Sequence, residues 1–380
     1  MSHMDIRGLI LIDTPPTADD GLAPSWTPLA LLDIAGLSPL ERSLERLGQH
    51  GVSSITVVVP GDISDRRPGS LPPGTVWRPA DPEHFWRVAE GVFNEMAESG
   101  AECVLLVRLG AYAEIDFAGF VQFHLQGQRR VTQAIAGSEP LEVFCLNASR
   151  RNDAASLFRS RLAHCRSQCE TFAHRGYVNP LAGPHDLRQF GVDVLTLNTE
   201  TGPAGSEIRP GIWMASGASV EKGSRILAPA FIGSSARIRC GAVITRCTAI
   251  EHHAQVDCGT VVENSTVLPY SYIGAGLDLA HSVAGMGHIA NLRRSATVEI
   301  EDPKLLGQVS ALTGQKLLRA AARLPGRIWR GIVGETPAPA PPLRKTLRRP
   351  SPALGVAACD TEAAHEFASH PVVARRYGNQ

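Results

Sequence analysis

The chain has 380 residues, enough for two domains and a tail, and its 43% hydrophobic fraction is ordinary for a protein that buries real cores. Lysine plus arginine equals aspartate plus glutamate at 37 each, so no global field points to nucleic acid or an anionic substrate. No apolar stretch is long enough to cross a bilayer, acids and prolines stand where a signal peptide would be apolar, and the eight cysteines include no CxxC pair, so a reduced, cytoplasmic protein is expected.

Arg7 to Ile12 contains the run GLILI, a buried first strand of a parallel sheet. A loop rich in Pro, Thr and Asp follows from Asp13 to Thr27. Leu40, Leu44 and Leu47, with charged residues between them, make an amphipathic helix that Gly51 ends, and Ile55 to Val59 is a second buried strand. The alternation continues with a helix over Pro82 to Glu98, a strand over Cys103 to Val107, a helix over Asp116 to Gln126 and a strand over Leu141 to Leu146. Helices over Asp153 to Cys169 and Pro184 to Leu195 complete it. Residues 5–200 therefore read as an α/β domain with a mostly parallel sheet.

From Ile208 the chain repeats every six residues. Ile208, Met214, Val220, Ile226, Ile232, Ile238, Ile244, Ile250, Val256, Val262 and Leu268 are all aliphatic at that step. Four residues after most of them stands a small one, Ala230, Ala236, Ala242, Thr248, Ala254 and Thr260 among them. No α-helix has this period. It predicts a parallel β-helix of hexapeptides over 205–300, whose register slips by one after Leu268 and whose repeat ends near residue 285.

Beyond it, Leu305, Val309, Leu312, Leu317, Ala321, Leu324 and Ile328 trace a helical stripe with five cations between Lys316 and Arg330. A basic amphipathic helix over 303–333 is expected, docking on the protein or a partner in preference to an anionic membrane surface at 316–330. Residues 334–380, rich in proline at their start, read as a disordered tail.

Two cysteine groupings carry weight. Cys240 and Cys258 lie one full turn of a hexapeptide helix apart and should stack as free thiols. His164, Cys165, Cys169 and His174 lack the spacing of a usual zinc site, so no metal site is assigned.

The combination of an α/β domain and a hexapeptide β-helix resembles the nucleotide-sugar pyrophosphorylases, the sugar-1-phosphate nucleotidyltransferases. The local likeness is best in Pro28-Leu29-Ala30-Leu31-Leu32-Asp33-Ile34-Ala35-Gly36 and Pro39-Leu40-Glu41-Arg42, which look like that family's PKPLLPVAGKPLLER stretch. The likeness extends to about residue 300 and implies an α/β nucleotidyltransferase-like domain followed by a left-handed β-helix. It also shows what is missing. The family's glycine-rich phosphate loop is replaced by Thr14-Pro15-Pro16-Thr17-Ala18-Asp19-Asp20-Gly21, whose prolines remove donors and whose carboxylates repel phosphate. The motif lysine falls on Leu29, and the two metal-binding aspartates fall on Gly110 and Pro180, with Glu114 or Asn179 as the nearest substitutes if the alignment shifts.

Phosphoryl transfer depends on the charges these positions would supply. The resemblance therefore implies a degenerate, non-catalytic or regulatory sugar-nucleotide-binding subunit in polysaccharide or glycoconjugate precursor synthesis. Its expected assembly is a homo-oligomer, or a hetero-oligomer with a catalytic pyrophosphorylase relative. No cofactor is expected, and magnesium only if nucleotidyl transfer survives. The alternatives are a nucleotidyltransferase with relocated ligands and a sugar acyl- or acetyltransferase acting through the β-helix. Hexapeptide acyltransferases use a histidine as general base, which makes His252, His253, His281 and His288 the candidates here. His252 should stack between Ser234 and Tyr270. It is equally readable as an exposed polar residue on a coil face.

Overall fold

The computed structural model describes residues 4–13, 29–52, 54–61, 71–163 and 169–309. In the N-terminal part a seven-stranded sheet has the order β3-β2-β1-β4-β7-β6-β8. Its strands are β1 (Ile6–Leu11), β2 (Ser54–Pro60), β3 (Thr75–Ala80), β4 (Cys103–Arg108), β6 (Val131–Ala136), β7 (Glu139–Asn147) and β8 (Glu170–His174), while β5 (Tyr112–Ala113) and β9 (Val178–Asn179) form a separate pair. β3, β2, β1 and β4 run parallel, as the apolar runs predict. β7 runs antiparallel to both β4 and β6, so the Leu141–Leu146 segment closes the sheet as a hairpin strand rather than a parallel one.

Successive β1 residues feed opposite faces. Ile10 and Ile12 pack under α1 (Pro39–Gln49) with Leu40, Leu44 and Leu47, and Leu9 and Leu11 pack under α2 (Phe85–Glu98) with Phe85, Val92 and Phe93. Each such fully buried side chain stabilises the fold by about 1.5–3 kcal/mol. α1 starts where the sequence demands it. Pro39 occupies the first turn, Ser38 Oγ accepts from Glu41 N at 3.2 Å, and Ser38 N donates to Glu41 Oε2 at 2.8 Å. α3 spans Phe117–Gln126 and α5 Pro184–Leu195, close to expectation. α4 stops at Arg159, and 164–168 lie outside the described residues, so the helix expected to run to Cys169 is at least ten residues too long.

The C-terminal part is a stack of short parallel strands in three sheets, compatible with the β-helix that the six-residue period predicts. The first face holds β11 (Ile212–Met214), β14 (Ala230–Ile232), β17 (Thr248–Ile250), β20 (Thr266–Val267) and β23 (Ser282–Gly285). The other two faces begin at Ser219–Val220 and Arg225–Ile226. Ile232, Ile238, Ile244, Ile250, Val256 and Val262 all point into one shared core, and the small residues Ala236, Ala242, Ala254 and Thr260 are buried at the corners.

Two register expectations need correction. Ile208 is 50% exposed on β10 (Ser206–Arg209), which pairs antiparallel with β11, so the coils begin at Ile212. The register slips between Val262 and Val267, where Ala249 pairs with Thr266, and not after Leu268. Val267 takes the inward position, and Leu268 is buried against the α/β part. The parallel repeat ends at Gly285, after which β24 (His288–Asn291) and β25 (Ala296–Glu299) run antiparallel.

Of the helix expected over 303–333, only residues up to 309 are described, and Leu306–Gln308 there is a strand paired antiparallel with Ser271–Ile273. The disordered tail expected over 334–380 lies outside the described residues. Among the described residues no helix is long and apolar enough to cross a membrane.

The α/β part and the coils share a core. Trp213, Phe231, Ala249, Thr266 and Val283 follow one another across the first face, and Phe231, Ala249 and Val283 pack with Ile34, Leu187, Phe190 and Val194. Gly36, at φ +86°, sits against Phe231, and a Cβ there would stand 2.6 Å from the Phe231 ring. The glycine is required both by its left-handed backbone and by this close approach.

Candidate functional site

Two places carry chemistry. The first lies beyond the carboxyl ends of β1 and β4, where a doubly wound sheet offers a ligand crevice. Asp13 follows β1, and Arg108 closes β4. Arg108 Nε donates to Asp13 Oδ1 at 2.7 Å, and its Nη1 lies 3.6 Å from Glu142 Oε2 of β7. The guanidinium stands 5.5 Å from the Trp86 ring centroid, within cation–π range. Burial works against its charge, but Asp13 and Glu142 outweigh this and hold its pKa above the ordinary value. A cavity of about 300 Å³ opens here, lined by Asp13, Pro60, Phe85, Trp86, Arg108 and Arg161 among others.

The residues aligned with lost catalytic positions are spent on structure. Leu29 is buried in the core that joins the two parts. Gly110 follows β4 in a turn, and Pro180 follows β9. Glu114 is buried and accepts from Tyr112 Oη, Glu200 N and Thr201 N. Asn179 donates to Asp186 O and accepts from Leu181 N. Neither nearest substitute has a carboxylate or amide oxygen turned toward Arg108's crevice.

The second place is where the segment 32–36 meets the corner of the coils. Glu251 is fully buried and accepts from two backbone donors, Ala35 N at 2.8 Å and Gly36 N at 3.0 Å. Burial is the main reason its pKa rises to about 8, with Asp33 adding to it and the two backbone donors opposing. Next to it, His252 Nε2 lies 3.3 Å from Asp33 Oδ2. Burial pulls His252 down to about 4 and pushes Asp33 up to about 7, so at neutral pH the contact joins an uncharged imidazole to a half-ionised carboxyl and is not an ion pair. A cavity of about 630 Å³ opens beside them, lined by Gly36, Ala204, Met214, Gly217, Ser234 and His252 among others.

Of the four candidate histidines, two come together. His252 Nδ1 is 3.1 Å from His253 Nδ1, and both rings touch Tyr270, the His252 ring edge-on and the His253 ring stacked on it at 4.8 Å. The expected ladder has Tyr270 under His253 as well as His252, because the seventeen-residue coil advances it by one place: Tyr270 N donates to His252 O, and His253 N donates to Ser234 O. His281 is bonded to Asn264 and His288 to the Met286 carbonyl, and neither lines the cavity. The cluster His164, Cys165, Cys169 and His174 lies partly outside the described residues. Cys240 and Cys258 do stack on one face, with their sulfurs 2.9 Å apart.

Asp33, Glu251, Arg108 and Glu142 carry these sites, and sequence reasoning missed all four. One signal was present: a glutamate at position 251, the corner where neighbouring coils place Gly233 and Leu268 against the α/β part, is an acid in an apolar place. No protein-family model matches the chain, and no curated protein matches it either.

Proposed function

We propose that the chain is a non-catalytic, sugar-nucleotide-binding relative of the sugar-1-phosphate nucleotidyltransferases, cytoplasmic, with a left-handed β-helix that carries its assembly as a homo-oligomer or with a catalytic relative. One observation carries the reading. At the crevice where nucleotidyl transfer would need an exchangeable divalent ion, Arg108 lies between Asp13 and Glu142 as a fixed cation. A guanidinium neutralises two carboxylates as a metal would, but it has no open position for a phosphate oxygen and lowers no water pKa. Trp86 and Arg161 remain to bind a base or a diphosphate.

Sugar nucleotides are therefore expected to raise the melting temperature equally in magnesium and in EDTA, with no pyrophosphate released from a nucleoside triphosphate and a sugar 1-phosphate. In Arg108→Ala the two acids lose their cation, and Mn²⁺ binding, read by electron paramagnetic resonance, is expected where the wild type has none. Magnesium-dependent pyrophosphate release, or no response to any sugar nucleotide at millimolar concentration, would sink the reading.

A second reading, acyl transfer to a sugar, is favoured by Asp33 beside His252 at the mouth of the larger cavity. A carboxyl against Nε2 fixes the ring and leaves Nδ1 toward His253, the arrangement of a base with an orienting partner. It requires thiol release from acetyl-CoA with a sugar acceptor, lost in His252→Ala. Unchanged release in that variant ends it.

A further inference from the structure

The N-terminal sheet buries a cluster that neither site uses. Cys103 on β4 and Cys145 on β7 are a diagonal cross-strand pair, since Leu105 faces Cys145 and Cys103 faces Asn147. Both side chains lie on the face covered by α3, from which His124 descends. Thr132 on β6 faces Cys145 across the ladder, and its Oγ1 is 2.8 Å from His124 Nδ1. The three residues are 1% exposed or less, and one ligand atom from each lies within 4.8 Å of the other two.

His124 Nε2 is the informative atom. It is buried without a hydrogen-bond partner, and leaving such a group bare costs about 1–3 kcal/mol. With Nδ1 held by Thr132, Nε2 is the nitrogen left to face the sulfurs. A hydrogen bond on the distal nitrogen is also what fixes the tautomer and ring orientation of a metal-bound histidine. Zinc–sulfur bonds of about 2.3 Å and zinc–nitrogen bonds of about 2.1 Å ask the donors to draw in by only a few tenths of an ångström.

We propose that Cys103, Cys145 and His124 Nε2 bind one soft, thiophilic d¹⁰ ion, zinc(II) or copper(I), as a structural centre that ties β4, β7 and α3 together. Each thiol that coordinates gives its proton to solvent as the ion enters, and no electron is transferred. Two sulfurs and an imidazole select such ions over magnesium or calcium, which demand oxygen. Three donors suit trigonal copper(I) as they stand. Zinc(II) leaves the site neutral if both thiols ionise but wants a fourth donor. The site is closed, so the ion enters during folding.

The full chain is unfolded in guanidinium with a chelator and a thiol reductant, freed of both, and refolded anaerobically with cobalt(II), as the probe for zinc, or with copper(I). One arm is expected to retain about one equivalent after desalting, with a thiolate charge-transfer band in the near ultraviolet. That equivalent should vanish in Cys145→Ser and persist when Cys165, Cys169, Cys240, Cys247, Cys258 and Cys359 are all replaced by serine. Cobalt retention points to zinc and copper retention to copper(I); either supports the site. Less than a tenth of an equivalent in both arms overturns it, as does an unchanged equivalent in folded Cys145→Ser. Should that variant not fold, the chain keeping only Cys103 and Cys145 decides: retention supports the site, and loss overturns it.

Discussion

Glu251→Ala is expected to cost about 3–5 kcal/mol and to uncouple the two parts of the molecule. The substitution leaves Ala35 N and Gly36 N buried with no acceptor, at about 1–3 kcal/mol each, and opens a void beside Phe231. The coils keep their own core of Ile232, Ile238, Ile244 and Val256, so a single unfolding transition should split into two. A single transition at the wild-type midpoint would show that the apolar contacts alone hold the junction. The same carboxyl gives a pH signature. Its native pKa of about 8 lies above the ordinary 4.5, so the folded chain holds a proton that the unfolded chain has released between those values. That contribution is fully present below about pH 4.5 and is lost as pH rises through about 8. Asp33, at about 7, has the same sign but is spent earlier, and His252, lowered to about 4 from 6.5, acts oppositely and only below 6.5. Between pH 7 and 8.5 the wild type should therefore lose stability more steeply than Glu251→Gln, as read from denaturant midpoints. Parallel slopes would refute the assignment.

Arg42→Ala is expected to be comparably damaging. The fully buried guanidinium donates to Thr201 O at 2.7 Å, Gly202 O at 3.0 Å and Ile34 O at 2.9 Å, joining α1 to the connector that leads into the coils. Burial lowers its pKa, opposed by Tyr112, Glu251 and Glu114 nearby. Removing it strands three carbonyls and leaves a large cavity, a loss of about 3–5 kcal/mol. Arg42→Lys should recover only part of this, because a single ammonium cannot reach three carbonyls with the geometry of a planar fork. Full recovery of stability in the lysine variant would mean that charge, and not the fork, is what the site needs.

Local pattern was enough for much of this protein. The GLILI run, the Leu40-Leu44-Leu47 stripe after Ser38-Pro39 and the six-residue period each depend on neighbours a few positions away, and each appears as the element it predicts. The misses are also physical. β3, β6 and β8 alternate too little to announce themselves, since β3 has three exposed residues of six and contains Pro79. The slip at 262–267 is one deleted residue, which moves Leu268 from a core position to the outer face without changing the look of the text.

The identity of the inward residues, the corners of the coils and the loss of the phosphate-loop glycines were decided by the sequence alone, because steric fit and backbone donors are properties of short segments. Tertiary structure alone decided that Glu251 meets Ala35 across 216 positions, that Asp33 faces His252, and that Arg108 stands between Asp13 and Glu142. Charge and burial act through space, and a carboxylate's pKa and partner follow from what the fold brings beside it, not from the residues next to it in the chain.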